Sequence, residues 1–166
     1  MKEYTISFTG HRPKGLPWRY NENSPKAIKF KQDMKTLLIE KINEGYHTFI
    51  VGMALGFDTM VAEILLKLKE KFDIKIECAL PCKNQEIHWN IFQQKRYRAI
   101  IDKCDAVVYI SNEYSLGCMQ KRNEYMVDNS NLLIAGWNGE PSGTSNTINY
   151  AKSKGIEIIV IDLKND

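Results

Sequence analysis

Six short runs of β-branched and aromatic residues, separated by stretches of helical periodicity, leave this chain few folds to choose from. The runs are Tyr4–Thr9, Thr48–Val51, Ile74–Leu80, Ala106–Ile110, Leu132–Ala135 and Ile156–Leu163. Helical spacing covers Lys26–Asn43, Met60 to near Phe72, Gln85–Lys103, Met119–Asp128 and Ser145–Lys154. Strands that are apolar along their whole length need cover on both faces, and strict alternation with helices makes the sheet parallel. Right-handed crossovers then put helices on both sides. The expectation is one domain, a three-layer α/β/α sandwich on a mainly parallel sheet of six strands.

Composition narrows the function classes. At 166 residues the chain can build one real core, and 43% hydrophobic with 26% charged residues is an ordinary globular balance. A net charge of +3, with the charges interspersed, gives nucleic acid little to hold, so it is not an expected partner. No apolar run is long enough for a bilayer, and Met1-Lys2-Glu3 leads directly into a strand. No membrane association and a cytoplasmic location are the default expectations. Cys78, Cys82, Cys104 and Cys118 lack the spacing of a zinc site and read as reduced thiols, so no metal is expected. Cys78 and Cys104 sit in apolar positions and read as small core residues.

In sheets of this kind ligands bind beyond the carboxyl ends of the strands. Three of those ends carry glycine-bearing segments: Thr9-Gly10-His11-Arg12, Gly52 to Asp58, and the loop from Trp137 to Thr144. The second reads strand, Gly52-Met53-Ala54-Leu55-Gly56, helix, a turn that aims backbone N–H groups and a helix dipole at an anion. Gly52 and Gly56 would let a ligand approach the backbone, or would serve a plain tight turn. The long polar segment Lys14–Pro25 reads as a loop.

Thr9-Gly10-His11-Arg12-Pro13, then Gly52-Met53-Ala54-Leu55-Gly56-Phe57-Asp58 with Ala62-Glu63, resemble the YpsA-like family of the SLOG superfamily. So do Arg122-Asn123 with Met126-Val127-Asp128, and Ser142-Gly143-Thr144 with Thr147. The motifs occur in the family's order over nearly the whole chain. The resemblance implies a Rossmann-like fold and a pocket for a nucleotide or a nucleotide-derived molecule such as ADP-ribose or an NAD-like compound. It also implies a homo-oligomer, and a protein partner in cell division or defence is compatible with it. Relatives include LOG-type phosphoribohydrolases and DNA-processing DprA proteins. The phosphoribohydrolase pattern Pro-Gly-Gly-x-Gly-Thr, closely followed by glutamate, is here Glu140-Pro141-Ser142-Gly143-Thr144, with no acid at the corresponding place. Binding is therefore expected before hydrolysis.

On this resemblance, Thr9, Gly10, Gly52, Met53, Ala54, Gly56, Gly143 and Thr144 are ligand-binding candidates around phosphate, with Arg12 as the charge clamp. Arg122 joins them, with an internal salt bridge to Asp128 as its alternative. His11 either contacts the ligand or makes a structural hydrogen bond across the loop. Asp58 either complements its helix dipole or accepts from a ribose hydroxyl. Asp58 and Glu63 are the acids available for chemistry, although Glu63 falls opposite its helix's apolar face. Trp18, Tyr20 and Trp89 are aromatic enough to stack a base but serve equally as packing anchors. The leading expectation is a regulatory or sensing protein that binds a nucleotide-type ligand. The alternatives are an N-glycosidic hydrolase and a DprA-like single-stranded DNA module.

Overall fold

The computed structural model describes residues 3–164. Six strands alternate with five α-helices: β1 (Thr5–Gly10), α1 (Pro25–Asn43), β2 (Thr48–Val51), α2 (Phe57–Lys69), β3 (Lys75–Leu80), α3 (Ile91–Lys103), β4 (Ala106–Tyr109), α4 (Cys118–Asp128), β5 (Leu132–Trp137), α5 (Gly143–Lys154) and β6 (Glu157–Asp162). The strands form one sheet in the order β4-β3-β2-β1-β5-β6, and each neighbouring pair is parallel.

That order locates the site. From β1 the chain steps outward through β2 and β3 to β4, then returns to place β5 on the other side of β1. Crossovers leaving β1 and β5 therefore go to opposite faces, and a crevice opens at their carboxyl ends. The segments after Gly10 and Trp137 flank it.

The period-two alternation of the strands divides the sheet cleanly. Ile6, Phe8, Phe49, Val51, Ile76 and Cys78 face α1, α2 and α3, where Phe30, Met34, Leu38, Met60, Leu65, Tyr97 and Ile100 complete the main core. Ile50 and Ala79 face Met126 of α4, and Leu133 meets Val127 and Ala151. The buried Ser7 hydroxyl on this second face is satisfied by Ser130 at 2.7 Å. Helix α2 is buried over nearly all of its first turn and a half, because α1 and α3 pack beside it.

Two expected boundaries move for local reasons. The helix expected from Gln85 begins at Ile91, where Asn90 caps it by accepting from the Gln93 N–H at 2.9 Å. Residues 82–89 instead form consecutive turns, with Asn84 in the left-handed region at φ +61°. The Gln94 amide holds these turns by donating to the carbonyls of Glu86, Ile87 and Trp89 at 3.1–3.2 Å. The last helix begins at Gly143, earlier than Ser145, because Ser142 and Ser145 form a reciprocal capping box. Cys104 is half-buried, short of full burial in the core, and all four cysteines are free.

Candidate functional site

The carboxyl ends of β1 and β5 meet at Gly10 and Gly136, which are paired in register. A Cβ on Gly10 would lie 2.1 Å from the Phe57 ring, and one on Gly136 would lie 2.4 Å from it. The two glycines therefore make room for a core phenylalanine that seats the first residue of α2 between the strand ends. Gly56, at φ +92°, has no room for a Cβ either, because the His11 carbonyl would be 2.7 Å away. That same carbonyl accepts from the Phe57 N–H at 3.1 Å. At Gly52 the space is taken by the Arg122 guanidinium, 2.8 Å from a hypothetical Cβ, which donates to the Gly52 carbonyl. Gly10, Gly52 and Gly56 thus accommodate the protein's own side chains and backbone. The expectation that Gly52 and Gly56 clear the backbone for a ligand is replaced by this packing role.

Gly143 is different. A Cβ there would meet nothing within 4 Å. Gly143 is exposed at the first position of α5, and Thr144 beside it is buried. The capping box occupies the amides of Ser142 and Ser145, and among the described residues the Gly143 and Thr144 amides have no partner. Two free N–H groups at a helix N-terminus open onto a cavity of about 320 Å³. Thr9, Gly10, His11, Arg12, Ala54, Asp58, Met119, Arg122, Asn123 and Ser142 line it with them. Of the expected ligand-binding residues, the fold gathers all but Gly52, Met53 and Gly56 around this one space. Met53, held at φ +62°, turns its side chain into the core.

His11 makes the structural bond that was one of its two readings. Its Nε2 accepts from the Asn138 N–H at 3.0 Å, so the proton of the neutral ring sits on Nδ1. Burial lowers the imidazole pKa, which keeps that acceptor available. Asn138 in turn accepts from the Glu140 N–H at 2.9 Å, so the loop carrying Ser142 and Gly143 is tied to the end of β1.

Asp58, in the first turn of α2, accepts from the Ala54 N–H at 3.2 Å through Oδ2. Its Oδ1 is buried without a partner. Desolvation raises the carboxyl pKa to about 6, against the pull of Arg122, the Ala54 N–H and Arg12. Arg122, from α4, is itself buried and also donates to Asn123 Oδ1 at 2.9 Å. Its alternative partner Asp128 is engaged elsewhere, accepting from the Tyr150 hydroxyl at 2.8 Å. Arg12 is exposed and, among the described residues, makes no side-chain hydrogen bond or ion pair. The cavity therefore offers one uncommitted cation, two free backbone donors and one buried carboxylate oxygen in search of a donor.

Glu63 is not part of this space. It grips Arg96 of α3 through both carboxylate oxygens, and Glu22 grips the same guanidinium at 2.6 and 2.9 Å. As a candidate acid for chemistry it is corrected to one arm of an ion triad on the helical flank. Trp18 packs on Phe30 and Tyr20 is exposed, while Trp89 stands edge-on to Tyr97. Trp89 also lines a second cavity of about 520 Å³ that shares Arg12, Ala54 and Met119 with the first. Sequence reasoning missed most of this second wall: Gln85, Ile87 and His88 fell inside an expected helix, and Cys82, Lys83, Asn84 and Tyr114 fell in connecting segments that carried no signal. Among the described residues no three His, Cys, Asp or Glu side chains are placed to hold a metal ion, and no helix is long and apolar enough to cross a membrane.

The profile of the YspA SLOG family matches residues 6–164. The SPbeta prophage-derived protein YoqJ of Bacillus subtilis is 34% identical over 143 residues, 78% of this chain and 84% of that protein. A UPF0398 protein of Macrococcus caseolyticus is 25% identical over 97% of this chain and 91% of its own. Among solved structures, DNA processing protein A from Helicobacter pylori, described for its single-stranded DNA binding mode, superposes with a TM-score of 0.66 at 19% identity. DNA processing protein A from Streptococcus pneumoniae gives 0.62 at 13%. Each superposition covers 94% of this chain, but only 64% of the first neighbour and 49% of the second. At these identities the likeness is one of fold, a Rossmann-like α/β domain.

Proposed function

The chain belongs to the YspA SLOG family, and from that premise we propose that it binds a nucleotide or nucleotide-derived ligand, of the ADP-ribose or NAD-like kind, in a regulatory or sensing role. The observation that carries this reading is the pair of unpartnered amides at Gly143 and Thr144, facing a cavity that Arg12 and Asp58, with its buried and unpartnered Oδ1, also line. Phosphate takes the amides, the positive end of the α5 dipole and the Arg12 guanidinium. A ribose hydroxyl donates to Asp58 Oδ1, which satisfies the one buried acceptor in the cavity that lacks a partner.

The test is a thermal-shift screen of the full chain with AMP, cyclic nucleotides, NAD and ADP-ribose. A ligand at about one hundred times its Kd stabilises the fold by about 2.7 kcal/mol, which is visible as a raised melting temperature. Arg12→Ala and Gly143→Ala should each keep the unliganded melting temperature and abolish the shift. The Gly143 substitution adds a methyl group that meets no protein atom within 4 Å, at a residue that lines the cavity. An unchanged shift in both variants removes this cavity from the proposal.

One observation favours a second reading, a nucleotide hydrolase. Among the described residues Asp58 is the single carboxylate lining either cavity, and a pKa near 6 suits a general acid or base. Chromatography after incubation with AMP, NAD and ADP-ribose separates the readings: turnover lost in Asp58→Asn supports the hydrolase, and binding without products supports the sensor. Single-stranded DNA, which the Helicobacter pylori neighbour binds, belongs in the same panel. A salt-sensitive mobility shift would redirect the proposal toward nucleic acid. The homo-oligomer carried over from the family resemblance predicts a light-scattering mass above 19.2 kDa. A monomer at working concentration would remove it.

A further inference from the structure

The second cavity lies against the phosphate cavity across Arg12, Ala54 and Met119, and its chemistry is different. Leu55, Met119, Ile87 and the Trp89 indole make its walls largely apolar, and Tyr114 stands exposed at its edge. Acidic side chains are absent from its lining among the described residues. A flat aromatic group entering here exchanges water for indole and thioether surface, which favours binding in proportion to the apolar area buried. The 320 Å³ cavity alone is at the small end for a ligand site, and the adjoining 520 Å³ extends it well into the range of ligand pockets.

One polar group in the second cavity is oriented by two contacts of its amide nitrogen. The Gln85 side-chain nitrogen lies 3.2 Å from the Tyr97 hydroxyl and 3.5 Å from the Met53 carbonyl. A carbonyl only accepts, so the amide NH₂ must be the end that faces it. Gln85 Oε1 is thereby left as the free end, and it accepts only. A donor on the edge of an incoming ring can pair with it.

We propose that the cavity bounded by Leu55, Gln85, Trp89 and Met119 is a nucleobase subsite, selective for a base with an exocyclic amine, with Arg12 at the junction between base and phosphate. This rests on the nucleotide reading of the first cavity and adds the recognition element to it. An adenine N6 amine donates to Gln85 Oε1. Hypoxanthine presents a carbonyl at the same place, and the two acceptors then face each other without a proton between them.

Titration calorimetry of the full chain with four probes tests this: ribose 5-phosphate, AMP, IMP and ADP-ribose. AMP should bind at least tenfold more tightly than ribose 5-phosphate and about tenfold more tightly than IMP. Gln85→Met should bring AMP and IMP to equal affinity while leaving ribose 5-phosphate unchanged. Tyr114→Ala and Leu55→Ala, one exposed and one half-buried, should weaken AMP and ADP-ribose selectively. Gly143→Ala should weaken all four. Equal affinity of AMP and ribose 5-phosphate, or of AMP and IMP, overturns the base subsite and leaves the phosphate site standing. Failure of wild type to bind any of the four overturns the nucleotide reading, and the base subsite falls with it.

Discussion

At the scale of single residues, the chain keeps a carboxylate where burial opposes its charge. Asp58 has its pKa raised from 3.8 to about 6, so between those values the folded chain holds a proton that the unfolded chain has lost. Stability contributed by this group therefore rises as pH falls through that window and is lowest above pH 6. A shift of this size corresponds to roughly 3 kcal/mol at pH 7.5. Asp58→Asn should raise the urea midpoint at pH 7.5, with the difference from wild type shrinking toward pH 4.5, while ligand affinity falls about tenfold. A difference that does not change with pH would mean that Asp58 titrates normally. His11 acts in the opposite sense. Its lowered pKa means the unfolded chain takes up the proton first, so acidification below about 6.5 costs stability. The Asp58→Asn comparison cancels that contribution because both proteins carry His11. A residue that costs stability at neutral pH and lines the candidate cavity fits the usual trade of stability for function.

At the scale of elements, the amino ends of α2 and α5 look equivalent in the sequence, since each follows a glycine-bearing strand end. The structure separates them. The α2 end is closed: the Phe57 N–H donates to the His11 carbonyl, which lies against Gly56, and Phe57 fills the space above Gly10 and Gly136. The α5 end is open, with Gly143 facing no neighbour. Gly10→Ala should therefore cost about 1–3 kcal/mol by overpacking against a core ring, with the urea midpoint as readout, whereas Gly143→Ala should leave the midpoint nearly unchanged. Equal losses would remove the distinction between a packing glycine and a site glycine. Ser142→Ala, which deletes the cap of α5, should cost about 1 kcal/mol and also weaken ligand binding, because the same box holds the free amides in line.

At the scale of the whole molecule, the alternation of apolar runs and helical spacing was enough to give the layers, the strand count and the parallel sheet. It also pointed to the strand ends, where the candidate cavity lies, because that consequence follows from topology. What escaped depends on contacts distant in sequence: Gly52 is a glycine because Arg122, seventy positions later, needs the space, and Glu63 is occupied because α3 presents Arg96. The triad of Glu22, Glu63 and Arg96 joins the loop before α1, helix α2 and helix α3 on the flank away from both cavities. The Arg96 side chain is 13% exposed and those of Glu22 and Glu63 are 22% and 44% exposed, so the triad is partly desolvated but still reaches water. Removing the cation alone leaves two carboxylates facing each other, and Arg96→Met should cost about 1–3 kcal/mol, less than for a fully buried pair. Replacing all three together, as Glu22→Gln, Glu63→Gln and Arg96→Met, removes the repulsion along with the attraction and should recover most of that loss. Nucleotide affinity should match wild type in both proteins. A triple variant as unstable as the single one would show that the guanidinium acts by packing, and a change in affinity would tie this flank to the cavity after all.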